Sequence, residues 1–417
     1  MSHPLHPILA AVFAAFEQEG VRWCLLRVPS TLHTPAGDID LLIDRTDLAP
    51  VRRVLHALEF VQVPGRGYGF HFLRYHRPTD QWLWLHIVTE LSFGPYYMLQ
   101  TGAEAGCLAR RQADGTVRVL APDDAFWALL LHCLLDKGAI APRHRARLLE
   151  LVGSAQVDGP LARVVDAASP PAWTPARIVK CVQRGEWIAL ERFAPALSAA
   201  WMGRHAIGAR QMLMRRALHV MDDLRNLWRR RGLSVALLGP DGAGKSTLAA
   251  GLQTSFVFPV RSVYMGLTGG CLPYVARLRV PGVVSLGRLC IFWGRYLLAQ
   301  YHQARGRLVI FDRYIYDAAV PPPQRLDWLG RALRWVDGHS CPGPDLVLVL
   351  NAPGAVMYER KGEYSPEVLE RWRQSFLALQ HRLRGLEVVD TTQAKCDVHR
   401  DVVDRIWGRY VVRWRTD

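Results

Sequence analysis

Residues 239–247 read "GPDGAGKST", and no other stretch limits the fold of this chain so tightly. The apolar run "VALLG" leads into it and the helix-forming run "LAAGLQ" follows, so a strand must pass into a helix through a glycine-rich turn. Such a turn can curl its amide N–H groups inward at a helix N-terminus, where the dipole also favours negative charge. The pattern G-x-x-x-x-G-K-[ST] therefore predicts a cradle for the phosphate chain of a nucleotide, its backbone supplied by Gly239, Asp241, Gly242, Ala243 and Gly244. Lys245 is expected against the β and γ phosphates, Ser246 offers its hydroxyl to Mg²⁺, and Thr247 caps a phosphate oxygen. Of the 52 basic residues only Lys137, Lys180, Lys245, Lys361 and Lys395 are lysines, so a lysine at this position points to a need for a compact ammonium. The plainer alternative is a glycine-rich turn that merely joins a strand to a helix.

From Leu233 onward short apolar strands alternate with helices: "LSVALLG", "VRSVYM", a long helix from about Val283 to Arg305, "RLVIFD", "DLVLVL" and "LEVVD". That alternation predicts an α/β unit over 232–417 with a parallel sheet covered on both faces. In "RLVIFDRYIYD" the strand ends in Asp312 and Arg313, at the edge where ligands of such sheets bind. A carboxylate there can hold a metal's water shell, and the adjacent guanidinium can fork onto a phosphate; otherwise the aspartate simply ends a strand. "APGAVMYERKGEYSPEVLERW" places Glu359, Arg360, Lys361 and Glu363 between helical stretches. Cations on a mobile segment can close over a transferring phosphoryl group, although a solvated helix end would have the same composition.

The segment from about 233 to 412 resembles the thymidylate kinases, through "GPDGAGKST", "GRLVIFDRY", "PDLVLVLNAP", "ERKGE" and "VVDTT" in that order. The resemblance implies a kinase of the nucleoside monophosphate kinase type that uses ATP and Mg²⁺ and pairs with a second copy through helices. It further implies Arg360 as the lid arginine, Asp312 and Arg313 as the acid-arginine pair, and Arg295 in "FWGRYLLAQ" as the arginine that approaches the acceptor. Two departures bear on the acceptor. "YMGLTGG" lacks the arginine and acidic residue that precede the Gly-Gly-Thr turn of that family, and "IYDAAVPPPQ" lacks the Ala-Tyr-Gln run that lines the thymidine pocket. Altered pocket groups alter specificity, so the expected acceptor is a small nucleotide, sugar or glycan-related molecule other than dTMP.

Residues 1–150 mix strand-period and helix-period segments and read as an α+β domain, followed over 151–231 by a helical connector. "WCLLRVPSTLHTPAGDIDLLID" resembles the first two strands of the nucleotidyltransferase superfold. Alternation sets Asp38 and Asp40 on one face of a strand, where both can grip a divalent metal. The turn that usually carries Gly-Ser reads Pro29-Ser30, and the position equivalent to a third carboxylate is His86, a poorer ligand for a hard cation. Glu90 could substitute if its strand extends that far. Two functions stay open for this domain: nucleotidyl transfer through the paired aspartates, or a retained fold that binds or positions an acceptor; for the whole chain, a nucleotide-gated binding module without transfer chemistry is a further alternative to the kinase.

At 417 residues, half of them apolar, the chain can fill more than one core. Its net charge of +15 is carried almost wholly by arginine and comes with no nucleic-acid-binding signature, so no specific nucleic acid is expected. The basic stretch "LRNLWRRRG" can dock an acidic membrane surface or a polyanion, or can be a solvated helix C-terminus. The eight cysteines lack CxxC spacing and the apolar runs are too short to span a bilayer, which together lead us to expect a cytoplasmic protein.

Overall fold

The computed structural model describes residues 5–27, 31–63, 69–94, 97–204, 213–214, 217, 220–221, 232–266, 281–321, 326–383 and 385–415. The Pro29-Ser30 turn, most of "YMGLTGG", residues 322–325 and the basic stretch before Gly232 lie outside them. The chain divides into two compact units, Met1–Met221 and Asp222–Asp417.

The first unit is built on a mixed sheet of seven strands. In chain order these are β1 (Trp23–Leu25), β2 (Asp38–Ile43), β3 (Val61–Val63), β4 (Phe70–His76), β5 (Gln81–Val88) and, after a small β6 (Ser92–Phe93) and β7 (Leu99–Gln100) pair, β8 (Gln112–Asp114) and β9 (Val117–Val119). The spatial order is β3-β4-β5-β2-β1-β9-β8. Alternation decides which side chain meets which core. Ile39, Leu41 and Ile43 of β2 pack with helices α1 (Pro7–Gln18) and α2 (Leu48–Ala57) on one face. Leu42 points the other way, into a second core shared with α3 (Glu104–Ala109) and α4 (Pro122–Leu131), and Asp38 and Asp40 share its side of the strand.

Helices α5 (Pro142–Leu151), α6 (Pro160–Ala168), α7 (Pro175–Gln183) and α8 (Trp187–Arg204) belong to that second core. Trp127 of α4 is fully buried there and donates its Nε1–H to the Gln156 carbonyl, so the helices after residue 151 are integral to the first unit.

The second unit carries five strands, β10 (Ser234–Leu238), β11 (Val260–Tyr264), β12 (Leu308–Asp312), β13 (Leu346–Asn351) and β14 (Leu386–Asp390), in the order β11-β12-β10-β13-β14. Every pairing is parallel. All five residues of β10 are buried, as a central strand covered on both faces requires. Because β10 lies between β12 and β13, the connections leaving β10 and β13 run to opposite sides, which opens a crevice at the C-terminal edge. The helices are α9 (Lys245–Leu252), α10 (Pro281–Ala304), α11 (Trp328–Gly338), α12 (Gly354–Lys361), α13 (Pro366–Leu377) and α14 (Lys395–Arg415).

Candidate phosphate-binding site

The loop from Gly239 leaves β10 at this crevice and ends in α9. Two of its glycines are required by conformation: Gly242 has φ +85° and Gly244 φ +99°, a region that disfavours residues with a Cβ. At Gly242 space is equally restrictive, since a Cβ would lie 2.4 Å from the Met357 carbonyl oxygen. Gly242→Ala is expected to cost about 1–3 kcal/mol and to lower the unfolding midpoint by about 2–4 °C for each of them. Calorimetry checks this, and an unchanged midpoint would contradict the loop conformation.

Lys245 is only 6% exposed. Its Nζ donates to the carbonyls of Gly239 at 2.6 Å and Pro240 at 2.7 Å, so the ammonium lies inside the curl of the loop. Burial, with Arg313 as a like-charged neighbour, pushes its pKa down to about 8. Ser246 donates its hydroxyl to Asp312 Oδ2 at 3.4 Å, which brings together the hydroxyl and the carboxylate that the sequence nominates for a magnesium ion. Both are oxygen donors at the edge of a phosphate loop, a donor set that suits this hard cation. Thr247 is exposed on α9, and Ala243 is wholly buried beneath the loop.

Arg313 takes φ +67°, a strained conformation for a residue other than glycine, and its fork spans two carboxylates. Nη2 lies 2.5 Å from Asp241 Oδ1 and Nη1 3.5 Å from Asp317 Oδ2. Asp317 was missed in the sequence reading, although its spacing in "DRYIYD" places it one short turn after Arg313. Burial raises its pKa against the pull of Arg313 and Lys245.

Arg360 and Lys361 behave differently from each other. Arg360 donates to the Thr391 carbonyl at 2.8 Å, while Lys361 reaches the loop, its Nζ 3.9 Å from Asp241 Oδ1 and 3.1 Å from Glu363. Arg295 of α10 lies over the Tyr264 ring at 5.5 Å, and its Nη1 is buried without a hydrogen-bond partner among the described residues. A buried guanidinium nitrogen with a bond to spare is suited to an anionic or polar acceptor group.

The first unit brings together a separate cluster. In the parallel β2–β5 register Asp40 is paired with His86, and ligand atoms of Asp38, Asp40 and His86 lie within 4.8 Å of one another. His86 Nδ1 is 2.8 Å from Asp40 Oδ1, while Arg27 Nη2 forms an ion pair with Asp40 Oδ2. Burial would raise the Asp40 carboxyl, but His86 and Arg27 together hold it below its ordinary range. His71 stacks on His86 with ring centroids 4.4 Å apart, and accepts the Trp84 indole N–H at 3.0 Å. Glu90 is not part of this cluster: β5 stops at Val88, and its carboxylate meets Gln100 at 3.1 Å and Arg45 at 3.6 Å. Two carboxylates with one imidazole make a donor set that Mn²⁺, which takes nitrogen ligands more readily, suits better than Mg²⁺. Arg27 and His71 escaped sequence reasoning because they come together only through the sheet register.

Among the described residues no helix is long and apolar enough to cross a membrane.

A glycine-rich loop between the central strand of a parallel sheet and a helix, with a buried lysine inside it and a carboxylate beside its serine, defines a phosphate-binding α/β unit. The chain belongs to the thymidylate kinase family. It is 32% identical over 185 residues to thymidylate kinases of Xanthomonas campestris pv. campestris strains B100 and 8004, with 39% of this chain and 77% of each relative covered. A thymidylate kinase structure from Candida albicans is similar at 18% identity and a TM-score of 0.36, covering 43% of this chain and 93% of that one. No family model matches the chain.

Proposed function

We propose that the second unit is an ATP- and Mg²⁺-dependent kinase that moves the γ-phosphoryl group to a small nucleotide, sugar or glycan-related acceptor other than dTMP. The carrying observation is the Lys245 ammonium, buried within the loop at 2.6–2.7 Å from two of its carbonyls and flanked by the Ser246–Asp312 pair. In this reading ATP phosphates take over the ammonium from those carbonyls, and Ser246 and Asp312 hold the magnesium, which supplies charge neutralisation when bound. Arg313 orders the loop through Asp241 and offers its remaining donors to the phosphoryl group in flight, and Arg360 joins it as the lid closes. Arg295, with its unpartnered nitrogen, meets the acceptor. The departures from the thymidine-pocket pattern in "YMGLTGG" and "IYDAAVPPPQ" support an acceptor other than dTMP. The test is labelled ATP with panels of nucleotides and sugars, read by mass spectrometry. A phosphorylated product that disappears in Lys245→Ala and persists in Asp38→Asn/Asp40→Asn is expected; dTMP as the sole acceptor would overturn the specificity.

A second reading concerns the first unit, where the clustering of Asp38, Asp40 and His86 supports a divalent-cation site of nucleotidyltransferase type. Pyrophosphate release from a nucleoside triphosphate, lost in Asp40→Asn and kept in Lys245→Ala, is the outcome that distinguishes it.

A further inference from the structure

Arg27 faces two places at once. Its guanidinium holds Asp40, and it also lines a cleft of about 470 Å³ in the first unit, a volume suited to a small organic ligand. The cleft runs between the end of β1, the β8–β9 hairpin and helices α4 and α5. Leu26, Leu120, Ala125 and Leu129 make an apolar wall; Arg27 and Arg147 are its cationic groups and Asp114 its carboxylate, with Arg147 paired to Glu150 at 2.7 Å, which leaves Arg27 as the cation an anion there would meet. His144 is also in the lining, and its Nε2 lies 3.3 Å from Arg143 Nε. Apolar walls with convergent donors suit an aromatic or similarly flat molecule that carries a phosphate or carboxylate.

We infer that Arg27 is a gate between this cleft and the Asp38–Asp40–His86 cluster: an anion in the cleft draws the guanidinium from Asp40, and the freed carboxylate accepts a divalent cation. The inference rests on the cation reading of that cluster and adds its regulation. The physical reason is charge balance. Asp40 is 92% buried by the complement of its 8% exposure, and a buried carboxylate must keep a cation beside it. The resident guanidinium can leave only if something replaces it and something else receives it. Arg27 can do both, being 43% exposed along its side chain and therefore able to turn. Anion and cation binding are then linked, each strengthening the other by the same factor.

The test uses the full chain carrying Lys245→Ala, which weakens anion binding at the phosphate loop of the second unit, and Mn²⁺ held there by Ser246 and Asp312 is separated by its independence of Asp40. Free Mn²⁺ is followed by electron paramagnetic resonance, alone and with phenyl phosphate, benzoate or inorganic phosphate, and Asp40→Asn serves as the control for direct ion pairing in solution. Phenyl phosphate is expected to tighten Asp40-dependent Mn²⁺ binding at least tenfold. Arg27→Gln should bring a similar gain without any anion and leave none for the anion to add. Ala125→Trp, which fills the cleft from its apolar wall, should retain Mn²⁺ binding and abolish the anion's effect. Benzoate acting as strongly as phenyl phosphate supports the gate with a carboxylate ligand, and inorganic phosphate acting equally well overturns the role of the apolar wall. Mn²⁺ binding that depends on Asp40 but ignores both the anion and Arg27→Gln overturns the gate alone. No Asp40-dependent Mn²⁺ binding, even in Arg27→Gln, overturns the cation reading beneath it.

Discussion

Lys245→Met is expected to reduce phosphoryl transfer by roughly 10²–10³-fold, about 2.7–4 kcal/mol, while leaving the fold as stable as before or more so. The two effects have opposite signs because the ammonium serves the ligand and burdens the empty loop. Burial and the nearby Arg313 lower its pKa to about 8 from 10.5, so the folded chain holds this proton less tightly than the unfolded chain does. Between those two values the unfolded state binds more protons, and stability contributed by this group rises with pH across that window. Methionine keeps most of the buried stem without the charge. ATP reverses the balance, since phosphate oxygens favour the charged lysine. Below pH 8 the ammonium is already present and affinity should not depend on this group. Above pH 8 a proton must be taken up on binding, and affinity should fall by about tenfold per pH unit. Calorimetry in buffers of different ionisation enthalpy measures that uptake. A wild-type affinity that stays flat to pH 9.5, or a Lys245→Met chain that melts well below wild type, would contradict this account of the loop.

The second unit was legible because its signals are local. "VALLG", the glycines and Lys245 are contiguous; β10, β11, β12 and β14 each fall within the runs that the sequence marks, and β13 runs one residue past its own, to Asn351. A strand that is buried on both faces needs only a run of apolar residues, and such a run survives in one dimension. What the sequence hid is what depends on pairing. Asp317 becomes part of the site because a short turn folds it back beneath Arg313, and Tyr264 because β11 sets it beneath an arginine of α10. In the first unit the alternation of "DIDLLID" correctly put Asp38 and Asp40 on one face, since that depends only on the strand's period. The partners of Asp40 depend on register: His86 faces it across β5, and Arg27 reaches it from the end of β1. The β8–β9 hairpin, which walls the cleft, consists of two three-residue strands, too short to show a period.

Arg313→Ala carries the second large effect, and it separates strain from charge. The side chain bridges Asp241 and Asp317, so its loss leaves two carboxylates beside the phosphate loop, Asp241 with Lys245 at 3.8 Å and Lys361 at 3.9 Å as remaining cations. Removing one partner of a largely buried ion pair costs on the order of 3 kcal/mol. Asp317, already raised by burial, would rise further, and Lys245 would rise too as a like charge disappears. Transfer should fall by roughly 10²–10³-fold along with the stability, because the same guanidinium orders the loop and, in the proposed reaction, meets the phosphates. Arg313→Lys should restore little, as a single ammonium cannot bridge two carboxylates with a rigid fork. The backbone supplies an independent comparison: at φ +67° alanine stays strained and glycine does not. Arg313→Gly should therefore be about 1–2 kcal/mol more stable than Arg313→Ala, though equally inactive. Urea unfolding of the two variants measures that difference. Equal midpoints would remove the strained turn, and an active Arg313→Lys would remove the bridging fork.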